Sequence, residues 1–459
     1  MSVGARVVEL DIGGVFRHIE EHRDQGLEEL ADFCRIPSVS AKGQSLDEAA
    51  NHVVGLLEAV GARVRKLPTE GGPPVVFGDL QARGAGGTLL LYNHYDVQPV
   101  EPLELWKSDP FKPEIRDDRF YARGSGDTKG NLVAQLMAVR AFQETAGGVP
   151  INLKFLVEGE EEIGSPHFSR WVERNRDLLG ADGATFEGGQ HTEEGRPQIE
   201  FGSKGLLYVE LRVKTADVDQ HSLYAPIVPN AAWRLIQVLN ALRDPRGRIK
   251  IPDFYEGIRK PTALELRYLR RASLKADDLR RSFGARELYG GPSDYGVLKK
   301  EIYSPTCNIC GIWAGYTGPG SKTVNPSEAG VKIDFRLLPG QRPEAVLEKL
   351  RAHLIASGFG DVGVQKLGAM EPASTPLDSR LAHVLVEAAP LVYGQPPDVL
   401  PWSPGSMPTA TFTDFLGIPV ASGPGVGYDG SGYHAPNEHI RLGDFVKGGQ
   451  YFAALMARF

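Results

Sequence analysis

A histidine and an aspartate two residues apart, His94 and Asp96, close the stretch "TLLLYNHYD". Side chains at i and i+2 of a strand share a face, so the two can act on one ligand, and imidazole beside carboxylate is a metal-binding pair. Three further stretches carry groups of the same kind. "YARGSGDTKGN" sets Asp127 in a glycine-rich loop ahead of a helix. "FLVEGEEEIGS" ends an apolar run with Glu158, Glu160, Glu161 and Glu162. "SGYHAPNEH" presents His434 in a turn-rich loop. Neighbouring carboxylates on such a strand end diverge, so one can bind a metal while the next faces a water. Two imidazoles and several carboxylates form a set of oxygen and nitrogen donors suited to zinc, manganese or cobalt.

Strand ends and loops must hold these groups. "TLLLYNH" and "INLKFLVEG" (151–159) read as buried strands, and "GNLVAQLMAVRAFQE" (130–144) as a helix with Leu132, Leu136 and Val139 on one side. Strand, helix, strand is the signature of an α/β unit with a mostly parallel sheet, which places ligands past the carboxyl ends of its strands. In "SLDEAANHVVGLLEAVG" (45–61), Ser45 and Glu48 predict a capping box, Gly61 a stop, and Ala49, Val53, Leu56, Leu57 and Val60 an apolar face. From residue 205 the pattern changes. "GLLYVELRV" and "VKIDFRLLPG" alternate as one-sided strands do, and "NAAWRLIQVLNAL" and "RPEAVLEKLRAHLIASG" read as helices. A polar stretch at 245–300 predicts helical insertions and loops. The expected plan is a catalytic domain in two parts, 1–204 and 372–459, with an α+β sandwich domain inserted at 205–371.

The chain has 459 residues, enough for two or three cores. Its 51 Lys and Arg against 58 Asp and Glu give a net charge of −7 and no basic block. That argues against nucleic acid and anionic membranes as partners. No apolar run reaches the ~20 residues of a membrane helix. The opening "MSVGARVVELDIGG" lacks the pattern of a signal peptide, and three cysteines make no disulfide framework, so a cytoplasmic location is expected. Cys307 and Cys310 form a CxxC without the second pair of a zinc ribbon and read as packed strand residues. "GVGYDG" (425–430) fits the dinucleotide pattern GxGxxG, but a loop follows where a helix is required.

Taken in order, "NHYDVQP", "YARGSGDTKG", "EGEEEIGS", "DQHS", "SKTVNP", "DFRLLPG", "PGSMPT" and "SGYHAPNEH" resemble the co-catalytic zinc peptidase family of carboxypeptidase G, aminoacylase and carnosine dipeptidase. The resemblance runs almost the full length. It implies two zinc ions (Mn²⁺ or Co²⁺ in their place) bridged by Asp127. One ion takes His94 and a carboxylate from "ADGATFEGGQ", where Glu187 matches better than Asp182. The other takes Glu162 and His434. Asp96 supports His94, and Glu161 is the general base. A cis peptide at Asp127–Thr128 is also implied. Thr128 stands where many relatives have a second aspartate, which puts hydrogen bonding behind the ligands in question. In the second domain the resemblance assigns His221 to the reacting carbonyl, Arg336 to the substrate's free carboxylate and Thr323 to a further hydrogen bond, and outside that domain it assigns Ser406 to another. It implies a homodimer in which His221 completes the neighbouring site.

The expected reaction is hydrolysis of an amide in a small peptide with a free carboxylate. Removal of an N-acyl group from an amino acid, as in acetylornithine or succinyl-diaminopimelate deacylation, is the alternative. "SKTVNP", "GSMPT" and the 245–300 insertion favour the dipeptidase branch. A chain of this fold that had lost turnover would keep the ligands and lose the base, and Glu161 is present.

Overall fold

The computed structural model describes residues 11–459 apart from 85 and 424. The first ten residues, which carry most of the opening stretch read above for a signal pattern, lie outside that range.

The central sheet has six strands. In chain order the first five are β1 (Arg63–Leu67), β2 (Val75–Leu80), β3 (Thr88–His94), β4 (Asn152–Glu158) and β5 (Gly183–Phe186), and Val420–Ala421 adds the sixth. Their spatial order is β1, β2, β4, β3, β5 and then 420–421. The four from β4 to 420–421 run parallel, and β1 and β2 are antiparallel additions at one edge. The mixed α/β class with a mostly parallel sheet is therefore observed.

"TLLLY" is apolar throughout because β3 is covered on both faces. Leu89 and Leu91 enter the core formed with helices 46–59, 129–146 and 442–458. Leu90 and Tyr92 enter a second core with Phe168, Trp171, Phe186 and Phe412 on the opposite face. Helix Lys129–Ala146 departs from the expected one-sided pattern. Every residue from Lys129 to Val139 is buried, since the central sheet flanks it on one side and other helices on the rest. Lys129 is tolerated there because its ammonium donates to the carbonyls of Phe33 and Ile36, at 3.0 and 2.8 Å.

The capping box at Ser45 does not form. Ser45 sits in the left-handed region at φ 48° and its side chain caps nothing, although the helix begins at Leu46 as the pattern requires. The predicted apolar face and the Gly61 stop, at φ 77°, are both present.

Four antiparallel strands make the second sheet: β6 (Gly205–Lys214), β7 (Asn308–Ala314), β8 (Glu328–Leu337) and β9 (Gly363–Met370), in the order β7, β8, β6, β9. Their inward residues, among them Leu207, Val209, Val331 and Phe335, pack on helices Ala231–Leu242 and Pro343–Ala356. The polar stretch at 245–300 holds helices Ala263–Leu269 and Ala276–Ser282 and the start of Asp294–Tyr303. Cys307 is half-buried and Cys310 is exposed on edge strand β7, where its thiol faces Asp334. The strand placement holds, but Cys310 is not packed, because β7 has a neighbour on one side only.

Candidate metal centre

Register on the central sheet decides which groups meet. His94 is the last residue of β3 and stands beside Glu158, the last of β4. β5 ends at Phe186, beside Tyr92, so Glu187 follows at the same edge. Three parallel strands thus deliver their next residues to one rim, the place where open α/β sheets bind ligands. Asp182 lies at the opposite end of β5, where its carboxylate accepts from the Thr88 N–H at 2.8 Å. Of the two candidates from "ADGATFEGGQ", only Glu187 reaches the cluster.

The four-glutamate run divides by partner. Glu158 is buried and accepts from the Tyr92 hydroxyl at 2.5 Å and from Ser165 at 2.8 Å. Glu160 lies 2.8 Å from His167 Nδ1. Glu161 and Glu162 sit on a short turn of helix whose N–H groups both donate to Asp96, at 3.2 and 3.1 Å. Asp96 therefore does two things. It fixes that turn, and it stands 3.4 Å from His94 Nδ1. Nδ1 also lies 3.0 Å from the Asp96 carbonyl. With acceptors on that side, Nδ1 keeps its proton, and Nε2 is the nitrogen that would turn its lone pair to a metal ion.

His94 Nε2 lies 3.0 Å from Asp127 Oδ1 and 3.7 Å from Glu187 Oε1. His434 Nε2 lies 3.0 Å from Asp127 Oδ2 and 3.1 Å from Glu162 Oε2. Asp127 thus gives one oxygen to each histidine. Two groups with the spacing to hold a metal ion share it: His94, Asp127 and Glu187, and Asp127, Glu162 and His434. All five expected ligands are brought together. Glu161 stands beside them, and among the described residues nothing donates a hydrogen bond to its carboxylate.

The electrostatics of the cluster call for cations. Burial pushes Glu161 up to about 7, with Asp127 and Glu162 adding to the effect and His94 opposing it. Burial likewise raises Glu187 and Glu162, each next to other carboxylates. His434 is raised to about 10 by Asp127 and Glu162. Burial opposes a charge on His94, but Asp127 and Asp96 outweigh it and its pKa rises well above the ordinary value. With protein groups alone, the cluster can neutralise its carboxylates only by holding protons. Divalent ions in the same places supply that charge, and the oxygen and nitrogen donors fit them.

Sequence reasoning passed over the anchor of this arrangement. Glu438 is fully buried with Arg123, which donates to it at 2.7 Å. It also accepts from the N–H groups of Gly124, Gly126 and Asp127, at 3.0, 3.0 and 3.1 Å. One carboxylate from the His434 loop therefore holds the glycine-rich loop that carries Asp127. It lies in the quoted "SGYHAPNEH", and the signal was an acid four residues after the histidine. Gln98 is a second omission, donating to Glu162 at 2.9 Å. Thr128 keeps a role in support, since its hydroxyl accepts from Asn131 at 2.7 Å. The Asp127–Thr128 peptide is cis. The glycines of "GVGYDG" serve packing, not a dinucleotide. A side chain at Gly425 would meet Gly189, one at Gly427 would meet the Tyr433 ring, and a loop follows.

The residues expected to touch substrate form two pairs, one joining β8 to the 403–407 loop and the other joining the segments around 221 and 323. Arg336 donates to Ser406 Oγ at 2.7 Å and has Asp334 at 3.4 Å. His221 is exposed, with Thr323 Oγ1 3.4 Å from its Nε2. Its Nδ1 accepts from the Leu223 N–H at 3.1 Å, which leaves the proton on Nε2. No hydrogen bond or ion pair among the described residues joins either pair to the metal cluster.

The chain matches the model of peptidase family M20/M25/M40 over residues 90–458. It belongs to that family. Among relatives of this M20 chain, the human Beta-Ala-His dipeptidase is 27% identical over 96% of this chain and 91% of its own length. The Cys-Gly metallodipeptidase dug1 of Schizosaccharomyces pombe is 27% identical over 97% of this chain and 98% of its own. The crystal structure of the M20 family metallo-carboxypeptidase Sso-CP2 from Sulfolobus solfataricus superposes with a TM-score of 0.89 at 38% identity, covering 95% of this chain and 99% of that one. As an M20 chain it is a metallopeptidase-type hydrolase. No helix among its described residues is long and apolar enough to cross a membrane.

Proposed function

We propose that the protein hydrolyses dipeptides with a free carboxylate, using two divalent ions bridged by Asp127. The observation that carries this reading is the division of Asp127, one oxygen 3.0 Å from His94 and the other 3.0 Å from His434. The names of the two dipeptidase relatives support the substrate class. Zinc is our first choice of metal, with Mn²⁺ or Co²⁺ in reserve, because carboxylates and imidazoles accept all three.

His94 and Glu187 would hold one ion, and Glu162 and His434 the other. When bound, the ions would bring the pKa of a water towards ~7 and polarise the scissile carbonyl. Glu161 takes the proton from the attacking water and passes it to the leaving amine. Asp96 keeps the proton of His94 on Nδ1 throughout. Arg336, steadied by Ser406, receives the substrate carboxylate on its planar fork. Arg336→Met should raise KM for dipeptides roughly 10–100-fold, the weight of a lost charge-assisted hydrogen bond, with a smaller change in kcat. Steady-state kinetics on one dipeptide checks it, and an unchanged KM removes Arg336 from the site.

We assign residues 1–204 and 372–459 to the catalytic domain and 205–371 to a lid and dimerisation domain. Around His221 the surface is apolar: Leu223 is 61%, Ile227 77% and Trp233 66% exposed. A two-fold mate would cover it, and the Nε2–H of His221 would then reach the partner's reacting carbonyl. Mixing His221→Ala with Glu161→Gln under subunit exchange should restore one competent centre per mixed dimer. No recovery despite proven exchange means that His221 acts in its own subunit or not at all. The free thiols of Cys34, Cys307 and Cys310 support a reducing, cytoplasmic setting.

The reaction is tested by presenting the metal-loaded enzyme with dipeptides, longer peptides and N-acetyl amino acids. Highest kcat/KM on dipeptides is expected. Preference for longer peptides would favour the carboxypeptidase activity named for the Sulfolobus protein, and preference for N-acetyl amino acids the deacylase reading.

A further inference from the structure

Behind Glu187 the chain encloses a cavity of about 390 Å³. Its walls come from segments distant in sequence. Glu187 stands at one side, the 403–407 loop that carries Ser406 at another, and Leu274 and Leu298 close it from the inserted segment between 263 and 303. The cavity therefore adjoins both a proposed metal ligand and the loop that steadies Arg336. With Leu400 and Met407, the leucines make an apolar lining along which a side-chain stem can lie.

Among the glycines and uncharged polar groups of the remaining lining stand three further acids, Glu200, Glu301 and Asp398, which differ in how far they are matched. Asp398 is already satisfied: it accepts from the Ser273 N–H at 3.0 Å and lies 3.3 Å from Arg196. Glu200 is half-buried with the Ser403 hydroxyl against it, and is held up to about 7 by burial, with the neighbouring Glu301 adding to the effect. Glu301 stands exposed at the rim. The nearby ammonium of Lys204 donates to the carbonyl oxygens of Glu301 and Ser304, at 2.5 and 2.9 Å, and its charge also acts on the Glu301 carboxylate from outside ion-pair distance. Among the described residues no ion pair is made to the carboxylate of Glu200 or Glu301.

We propose that this cavity receives one side chain of the peptide substrate and selects a long aliphatic stem with a cationic tip, as in lysine or arginine. The leucines and Met407 contact the stem, and Glu200 and Glu301 meet the charge. The insertion at 263–303 then has a function as the wall that sets specificity. This inference rests on the peptidase reading above.

The test measures kcat/KM for two dipeptide series, Xaa-Ala and Ala-Xaa, with lysine, arginine, norleucine and glutamate as Xaa. In one series, lysine and arginine should exceed norleucine about tenfold or more, the weight of a hydrogen bond to a charged group. Glutamate should be the poorest. Glu200→Gln together with Glu301→Gln should bring lysine level with norleucine and leave the norleucine peptide unchanged. Glu301→Gln alone, at the exposed rim, gives a partial loss should the double variant fail to fold. Equal rates for lysine and norleucine in both series overturn the proposal, and so does a preference that survives the double substitution. Calorimetry of lysine amide and norleucine amide on the metal-loaded protein separates the two readings. If no dipeptide is cleaved but lysine amide binds more tightly than norleucine amide in a Glu200-dependent way, the pocket stands and the reaction reading fails. If neither preference is seen, the pocket proposal fails whatever the reaction.

Discussion

Replacing Glu161 by glutamine should lower turnover at least ~10²-fold, the usual contribution of a positioned acid–base group, while both metal ions stay bound. The reason lies in how the glutamate run is divided. Glu158 and Glu160 are engaged by Tyr92, Ser165 and His167, and Glu162 by His434 and Gln98. Glu161 is left beside the cluster with its N–H fixed on Asp96. The amide keeps size and polarity but cannot accept the proton of the attacking water. Stopped kinetics with full metal content is the expected pair of readings. Glu162→Gln should differ in kind, lowering the occupancy of one ion. Near-normal turnover in Glu161→Gln would exclude the role of general base.

Asp127→Asn should have the largest effect on metal binding of any single substitution. Each oxygen of Asp127 faces a different histidine. The amide offers one oxygen and, in place of the other, an NH₂ group that cannot ligate. Both ions should be weakened together and activity should fall with them, whereas Glu187→Gln and Glu162→Gln should each affect one. Metal analysis after dialysis against a weak chelator reads this directly. Loss of a single ion in Asp127→Asn would show that it is not shared.

Much of the site could be read in the sequence because sheet geometry converts spacing into position. His94 and Asp96 at i and i+2, and an acid after each of two neighbouring parallel strands, must meet at one rim once the strands pair in register. The choice between Asp182 and Glu187 was open in the letters alone, and the bounds of β5, Gly183 to Phe186, set Glu187 at the rim and Asp182 at the far end. Less legible was what depends on contacts between distant loops. Nothing in the spacing of Arg123 and Glu438 announces that they bury a charge pair, 315 residues apart, which ties two loops together. Ser45 shows the opposite error, a correct local motif overruled by a left-handed backbone. Leu132, Leu136 and Val139 are buried as read, but the sheet and the flanking helices bury the other sides of 129–139 as well, which periodicity within the segment does not report. The wall of the cavity behind Glu187 was equally hidden, since the insertion that builds it reads as polar helices and loops and meets the site only through tertiary packing.

The central claim is that two ions share Asp127, and anomalous diffraction from crystals of the Zn²⁺-loaded protein tests it most directly. The account predicts two peaks per chain, each about 2.0–2.2 Å from a different oxygen of Asp127. One should also be bound by His94 and Glu187, and the other by Glu162 and His434. A single peak, or two peaks without Asp127 between them, would contradict it.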